Sequence, residues 1–236
     1  MKKSLLVVAL LSAFSPMLAH AEAGDIVVRL RATNVNPNTK STLGETTDAA
    51  YGAGTAADFY GSATADLQVG KNTIPELDIS YYLTKNIAAE LILAVGTRHS
   101  VNVSSAGDVA ADLGKVNLLP PTLTAQWHFN PDQTIDPYVG AGGAFVLGLD
   151  RKLTAAYTPV TTPTSYLPIR IDRSAFGAVM QAGFDVNLQD KWLINFDVKK
   201  IWVNTDVKLD AGSGYKKIDN LDLNPLVLSV GIGKKF

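Results

Sequence analysis

Two-residue periodicity constrains this chain more tightly than any motif in it. The stretch IPELDISYYLTKNIAAELILAV, residues 74–95, divides at Thr84-Lys85-Asn86 into two alternating arms. Leu77, Ile79, Tyr81 and Leu83 share one face of the first arm, and Glu76, Asp78 and Ser80 share the other. In the second arm Ile87, Ala89, Leu91, Leu93 and Val95 oppose Ala88 and Glu90. Successive side chains of a strand point to opposite faces, so the pattern predicts a hairpin with one apolar face and one charged face. A soluble sheet would lay the apolar face on a core. A membrane barrel would turn it to lipid and point the carboxylates into the lumen.

The whole chain favours the second arrangement. Eight alternating segments are predicted, at residues 25–34, 74–83, 87–95, 118–129, 138–146, 174–188, 192–203 and 221–236. Short turns at 84–86, 130–137 and 189–191 alternate with long connections at 35–73, 96–117, 147–173 and 204–220. An even number of strands with short turns on one rim and long loops on the other describes an all-β, eight-stranded antiparallel transmembrane β-barrel, with short periplasmic turns and long extracellular loops. Aromatic placement agrees: Tyr81, Trp127, Phe129, Phe184 and Trp192 fall near the turns, and Phe145 and Trp202 near the long loops, where interfacial girdles sit. A soluble periplasmic β-protein is the alternative, but it gives no reason for the strict alternation of loop lengths.

Residues 1–21 read as a cleaved signal peptide: Lys2 and Lys3, an apolar run, then Ala19-His20-Ala21 as a small-x-small cleavage site, with Ala21-Glu22-Ala23 as a second register. Residues 22–236 are expected to form a single barrel domain in the bacterial outer membrane, in contact with its lipids. With no cysteine in an exported chain, stability must come from packing or a closed ladder of backbone hydrogen bonds. Setting aside the two signal lysines leaves 19 basic against 22 acidic residues and no basic block, so nucleic-acid binding has no electrostatic footprint. No cofactor or metal is expected, because no H-x-x-H or H-E-x-x-H spacing occurs. His99 is read as a loop residue near Ser100, Ser104 and Ser105; nothing marks any of these serines as an activated nucleophile, so an enzyme is not expected.

Several blocks in their order resemble the OmpW family. They are Asp25-Ile26-Val27-Val28-Arg29, Asp78-Ile79-Ser80-Tyr81 with Asn86-Ile87-Ala88-Ala89-Glu90, Leu119-Pro120-Pro121-Thr122 leading to Gln126-Trp127-His128-Phe129, Pro137-Tyr138-Val139-Gly140-Ala141-Gly142, Gln181-Ala182-Gly183 and Asp197-Val198-Lys199-Lys200-Ile201. The resemblance covers nearly all of the mature chain and misses mainly the long loops. It implies an eight-stranded outer-membrane barrel associated with uptake of small hydrophobic molecules, with some members serving as bacteriocin receptors. The last strand ends in Phe236, which is similar to the signal read by the outer-membrane assembly machinery, although Lys234 stands where an aromatic is commoner.

Strand direction lets the inward face be read by height. Arg29, Arg31, Glu76, Asp78, Glu90, His128, Asp185, Asp197 and Lys199, with Gln126, Gln181, Asn195 and Lys235, point inward in the lower and middle lumen. Higher up the inward positions become Ile74, Ile92, Leu118, Ile201, Val203, Leu223 and Val227. Eight strands leave room only for side chains, so the near-balanced charges are expected to pair into a polar plug beneath a hydrophobic funnel. A solute in that funnel would have to leave sideways. Pro120 and Pro121 mark a candidate lateral gate, since proline cannot donate to the ladder, or else they only end a loop. The loops leave a second reading open: a surface-recognition or structural barrel, contacted by a bacteriocin, phage or host, without transport.

Overall fold

The computed structural model describes residues 22–94, 97–105, 108–150, 152–157 and 165–236. The expected signal peptide and Val95 lie outside them. Eight long strands form the barrel: β1 (Ile26–Asn36), β3 (Asn72–Tyr82), β4 (Ile87–Ala94), β7 (Thr122–His128), β8 (Ile135–Asp150), β11 (Ser174–Asn187), β12 (Trp192–Trp202) and β15 (Leu226–Lys235). Each is antiparallel to its neighbours in the order β11-β12-β15-β1-β3-β4-β7-β8, and pairing of β8 with β11 closes the ring. Closure leaves no free sheet edge, which a chain in hydrocarbon requires because unpaired N–H and C=O groups find no water there. Among the described residues no helix is long and apolar enough to cross a membrane. Each of these strands overlaps one of the eight predicted segments.

The alternation falls as the periodicity dictates. Leu30, Leu77, Leu91, Leu123, Val198, Leu228, Val230 and Ile232 lie exposed on the outer wall, while Arg29, Arg31, Asp78, Glu90, Gln126, Asp197 and Ser229 are buried inside. The expected girdle residues Tyr81, Trp127, Phe129, Phe184, Trp192, Phe145 and Trp202 are all exposed. The short turns are built from local hydrogen bonds. Thr84 Oγ1 accepts from the backbone N–H of Asn86 and Ile87. At the other tight turn Asp190 and Lys191 adopt left-handed backbone angles, with φ of 57° and 64°.

The long connections differ from the expectation of exposed loops, because most of them fold. β5 (Thr97–Ser105) and β6 (Asp108–Leu119) make a hairpin; β6 continues the wall by pairing with β8, and β2 (Asp66–Val69) adds to β5. β9 (Lys152–Tyr157), β10 (Ser165–Ile171), β13 (Asn204–Asp210) and β14 (Tyr215–Asp222) form a second sheet in the order β14-β13-β10-β9. Helices α1 (Leu43–Tyr51) and α2 (Thr55–Tyr60) pack on β14 and β9 respectively. The physical reason lies in weak alternation: Thr205, Val207 and Leu209 are buried between Asp206, Lys208 and Asp210, and Val101 and Val103 alternate with Ser and Asn. Polar partners and bulges at Val101/Asn102 and Val207/Lys208 hide that period in the sequence. The predicted segment 118–129 likewise divides at Pro120-Pro121 into the end of β6 and β7.

Candidate functional site

The lumen is built from two stacked regions, and the lower one is a continuous network of buried charges. Arg29 on β1 lies within 3.2 Å of Asp78, donates to Ser80 Oγ at 2.6 Å, and grips Asp185 with Nη2 at 2.6 Å and Nε at 3.3 Å. Arg31, two residues on and on the same face, pairs with Glu76 at 2.9 Å and Glu90 at 3.1 Å, and with Asp78. Lys199 donates to Asp197 at 2.5 Å and stands 3.6 Å from Glu76. Neutral groups fill the remaining valences: the Tyr138 hydroxyl donates to Asp197 at 2.7 Å, Gln181 and Thr124 donate to Glu90, and Asn195 donates to Asp185. At the turn end His128 lies 2.7 Å from Asp136 and against the Tyr82 hydroxyl. Buried ions are tolerable only when paired and hydrogen-bonded on most sides, and this lattice meets that condition.

Two glycines make room for the arginines. Gly231 and Gly233 on β15 stand opposite Arg31 and Arg29. A Cβ at Gly231 would lie 2.6 Å from Arg31 Cγ and 2.2 Å from the Leu30 carbonyl oxygen, and one at Gly233 would lie 2.7 Å from Arg29 Cγ. The pattern Arg-x-Arg on the first strand facing Gly-x-Gly on the last was readable in the sequence once the ring was closed. Asp136 was missed because residues 130–137 read as a turn, whereas β8 begins at Ile135. His128, Asp136 and Asp185 together offer ligand atoms within 4.8 Å of one another. Arg29 and the imidazole already occupy those carboxylates, so a cation there would have to break the network.

The upper region is apolar. Ile74, Ile92, Leu118, Ile201, Val203, Leu223 and Val227, the predicted funnel residues, all line one cavity of about 80 Å³, with Glu76 and Lys199 at its polar edge. Since one water needs about 10–15 Å³ of such volume, there is room for a handful of small groups. A smaller cavity of about 30 Å³ shares Val69, Leu118, Val146 and Leu223 with the first and continues toward Val101, Leu153 and Val207. Around it Leu43, Ala56, Tyr60, Leu67, Val103, Leu209 and Ile218 are buried in one hydrophobic cluster with Ile201 and Val227. The expected funnel residues thus line a cavity that is continuous with a core folded from the long connections, which form sheets and helices. His99, expected in a loop, stands on β5 and lines the same cavity, 4% exposed.

The two prolines sit in the wall beside this cavity. Pro120 lines it, whereas Pro121 lies in an outer groove with Leu91, Leu123, Phe145 and Phe176. On one side the strand is held: Leu119 pairs with Leu147 and the Phe145 N–H donates to the Pro121 carbonyl at 2.9 Å. On the other side β4 pairs with β7 only as far as Ile92 opposite Thr122, and β5 resumes with β6 at Thr97 opposite Leu118. Between those rungs no ladder pairing joins Leu93 and Ala94 to Leu119, Pro120 and Pro121 among the described residues. Phe236 follows β15 and is exposed, its N–H donating to the Ile26 carbonyl at 2.8 Å, and Lys234 lies over the Trp192 ring.

Comparison with known proteins places this architecture. The OmpW family model matches residues 22–236. The uncharacterized outer-membrane protein y4mB of Sinorhizobium fredii is 38% identical over 77% of this chain and 73% of its own length. Outer membrane protein W of Vibrio cholerae is 30% identical over the full length of both chains. The crystal structure of the outer membrane protein OprG from Pseudomonas aeruginosa superposes with a TM-score of 0.72, at 23% identity, over 91% of this chain and 97% of that one. With a closed eight-stranded ring, a lipid-facing outer wall and a family match across the whole barrel, the chain belongs to the OmpW family and is a protein of the bacterial outer membrane.

Proposed function

We propose that this barrel mediates passive uptake of small hydrophobic molecules, which occupy the apolar upper cavity and leave sideways through the wall into the membrane. The observation that carries the reading is the meeting of two surfaces at one weak point. The cavity touches Pro120, the lipid-facing groove touches Pro121, and among the described residues no rung joins Leu93 or Ala94 to either proline. Downward passage is opposed by the Arg29, Arg31 and Lys199 network, which an apolar solute could cross only by separating buried ions. A sideways step exchanges one apolar environment for another. In this reading Ile74, Ile92, Leu118, Ile201, Val203, Leu223 and Val227 bind the solute, Pro120 and Pro121 form the gate, and the charged residues seal the floor. Phe236, at the end of the last strand, serves assembly.

The test is uptake of a hydrophobic substrate by cells carrying Pro120→Ala with Pro121→Ala. Alanine restores the ladder donors, so uptake should fall at equal barrel abundance; unchanged uptake removes the prolines from the mechanism. A second reading, recognition at the cell surface, is favoured by the folded β9, β10, β13 and β14 sheet, which offers an exterior partner an ordered surface. Glu substitutions at the exposed Lys216 and Lys217 of β14 should weaken binding of such a partner and leave solute uptake intact.

A further inference from the structure

Four polar side chains line the otherwise apolar cavity: Glu76, Lys199, Thr122 and His99. Three of them are already committed. Glu76 is held by Arg31 at 2.9 Å, Lys199 by Asp197 at 2.5 Å, and the Thr122 hydroxyl donates to the Pro120 carbonyl at 3.1 Å. His99 differs. Its Nδ1 lies 2.7 Å from the Gly70 carbonyl oxygen, and a carbonyl only accepts, so Nδ1 carries the hydrogen. In the neutral ring Nε2 is then a bare acceptor, and no second hydrogen bond of this imidazole occurs among the described residues. The ring is fixed from both sides of its strand: the Gly70 N–H donates to the Ser100 carbonyl at 2.8 Å, and Asn72 Nδ2 donates to the Arg98 carbonyl at 2.8 Å.

We infer that His99 Nε2 is a hydroxyl-reading group, and that the occupants the cavity prefers are short neutral amphiphiles carrying one hydroxyl, such as alcohols, rather than bare hydrocarbons. The inference rests on the uptake reading above and names the chemistry of its solute. A hydroxyl donates to Nε2 while its alkyl chain lies along Ile74, Ile92, Ile201 and Val227. A hydrocarbon fills the same walls and leaves a buried acceptor without a partner, which a binding site disfavours. A carboxylate brings a second acceptor to Nε2, and Lys199, the cation nearest the floor, is already neutralised by Asp197 and Glu76. Burial also holds the imidazole below its ordinary pKa, which keeps Nε2 free of a proton near neutral pH.

The experiment uses the whole barrel in lipid nanodiscs, titrated with 1-hexanol, hexane or hexanoate. The methyl signals of Ile92 and Val227 report occupancy, and the ¹⁵N shift of His99 Nε2 reports the hydrogen bond. Wild-type protein should bind 1-hexanol more tightly than hexane and hexanoate, with Nε2 moving toward its protonated value. His99→Leu should remove roughly three- to tenfold of the preference for 1-hexanol over hexane, and its retained hexane binding shows that the variant is folded. Equal binding of hexane and 1-hexanol with an unmoved Nε2 overturns this inference alone. A tighter response to hexanoate also overturns it. If no probe perturbs Ile92 or Val227, both the inference and the uptake reading fall.

Discussion

The lower and upper halves of the lumen share the same strands and opposite chemistry. Glu76 and Ile74 are two residues apart on the inward face of β3, yet the first joins the ion lattice and the second the apolar cavity; Lys199 and Ile201 repeat the change on β12, and Ser229 and Val227 on β15. On each of these three strands polar therefore gives way to apolar within one inward step. The change teaches that an eight-stranded interior, too narrow for a water-filled pore, still holds two devices in series. Paired charges interlock across the lower lumen, and short branched side chains border a void above them.

The largest effect should come from the lower half. Arg31→Leu removes the guanidinium shared by Glu76, Asp78 and Glu90 and leaves Glu76 only Lys199 at 3.6 Å, so the barrel should lose about 3–5 kcal/mol, read from its urea midpoint in vesicles by tryptophan fluorescence. Gly231→Val forces a side chain against Arg31 and the Leu30 carbonyl and should cost about 1–3 kcal/mol in the same assay. The upper half should respond in binding rather than in stability. Ile92→Lys places a charge in the apolar wall, and affinity for a hydrophobic probe should fall about tenfold or more, near 1.4 kcal/mol, while the barrel still folds.

The smallest effect is a shallow pH dependence of the upper half. Burial lowers the His99 pKa from its ordinary 6.5, so the unfolded chain takes up a proton before the folded one does. The stability contributed by the neutral ring is fully present above about pH 6.5 and is lost as pH falls below it. Glu76 and Lys199 line the same cavity but are paired with each other and with Arg31 and Asp197. His99→Gln should flatten the profile between pH 7 and pH 5, measured by thermal unfolding.

How much of this could be read in advance follows from how each part is determined. The eight strands and the sorting of Arg29, Glu76, Glu90, Asp197 and Ile92 to inward positions follow from parity alone, because a strand has only two faces. Partners were less legible. That Arg31 reaches Glu90 on β4 and Asn195 on β12 depends on register across the closed ring, which no local pattern encodes. His99 was hidden for another reason: only Val101 and Val103 are apolar on its face of β5, and the register shifts at Val101/Asn102 and Val103/Ser104, so a strand that lines the cavity read as a loop.

The boundary between the two halves is most directly tested with single cysteines, which the cysteine-free chain makes unambiguous. Val227 and Ser229 lie on the same inward face of β15, roughly 7 Å apart along the strand. Val227 borders the cavity, whereas Ser229 is buried and accepts from Thr33 at 2.9 Å. With Val227→Cys and Ser229→Cys barrels in proteoliposomes, a membrane-partitioned N-hexylmaleimide should label Val227→Cys readily and leave Ser229→Cys unmodified. Equal labelling of the two would contradict a lumen divided into an apolar chamber and a sealed floor.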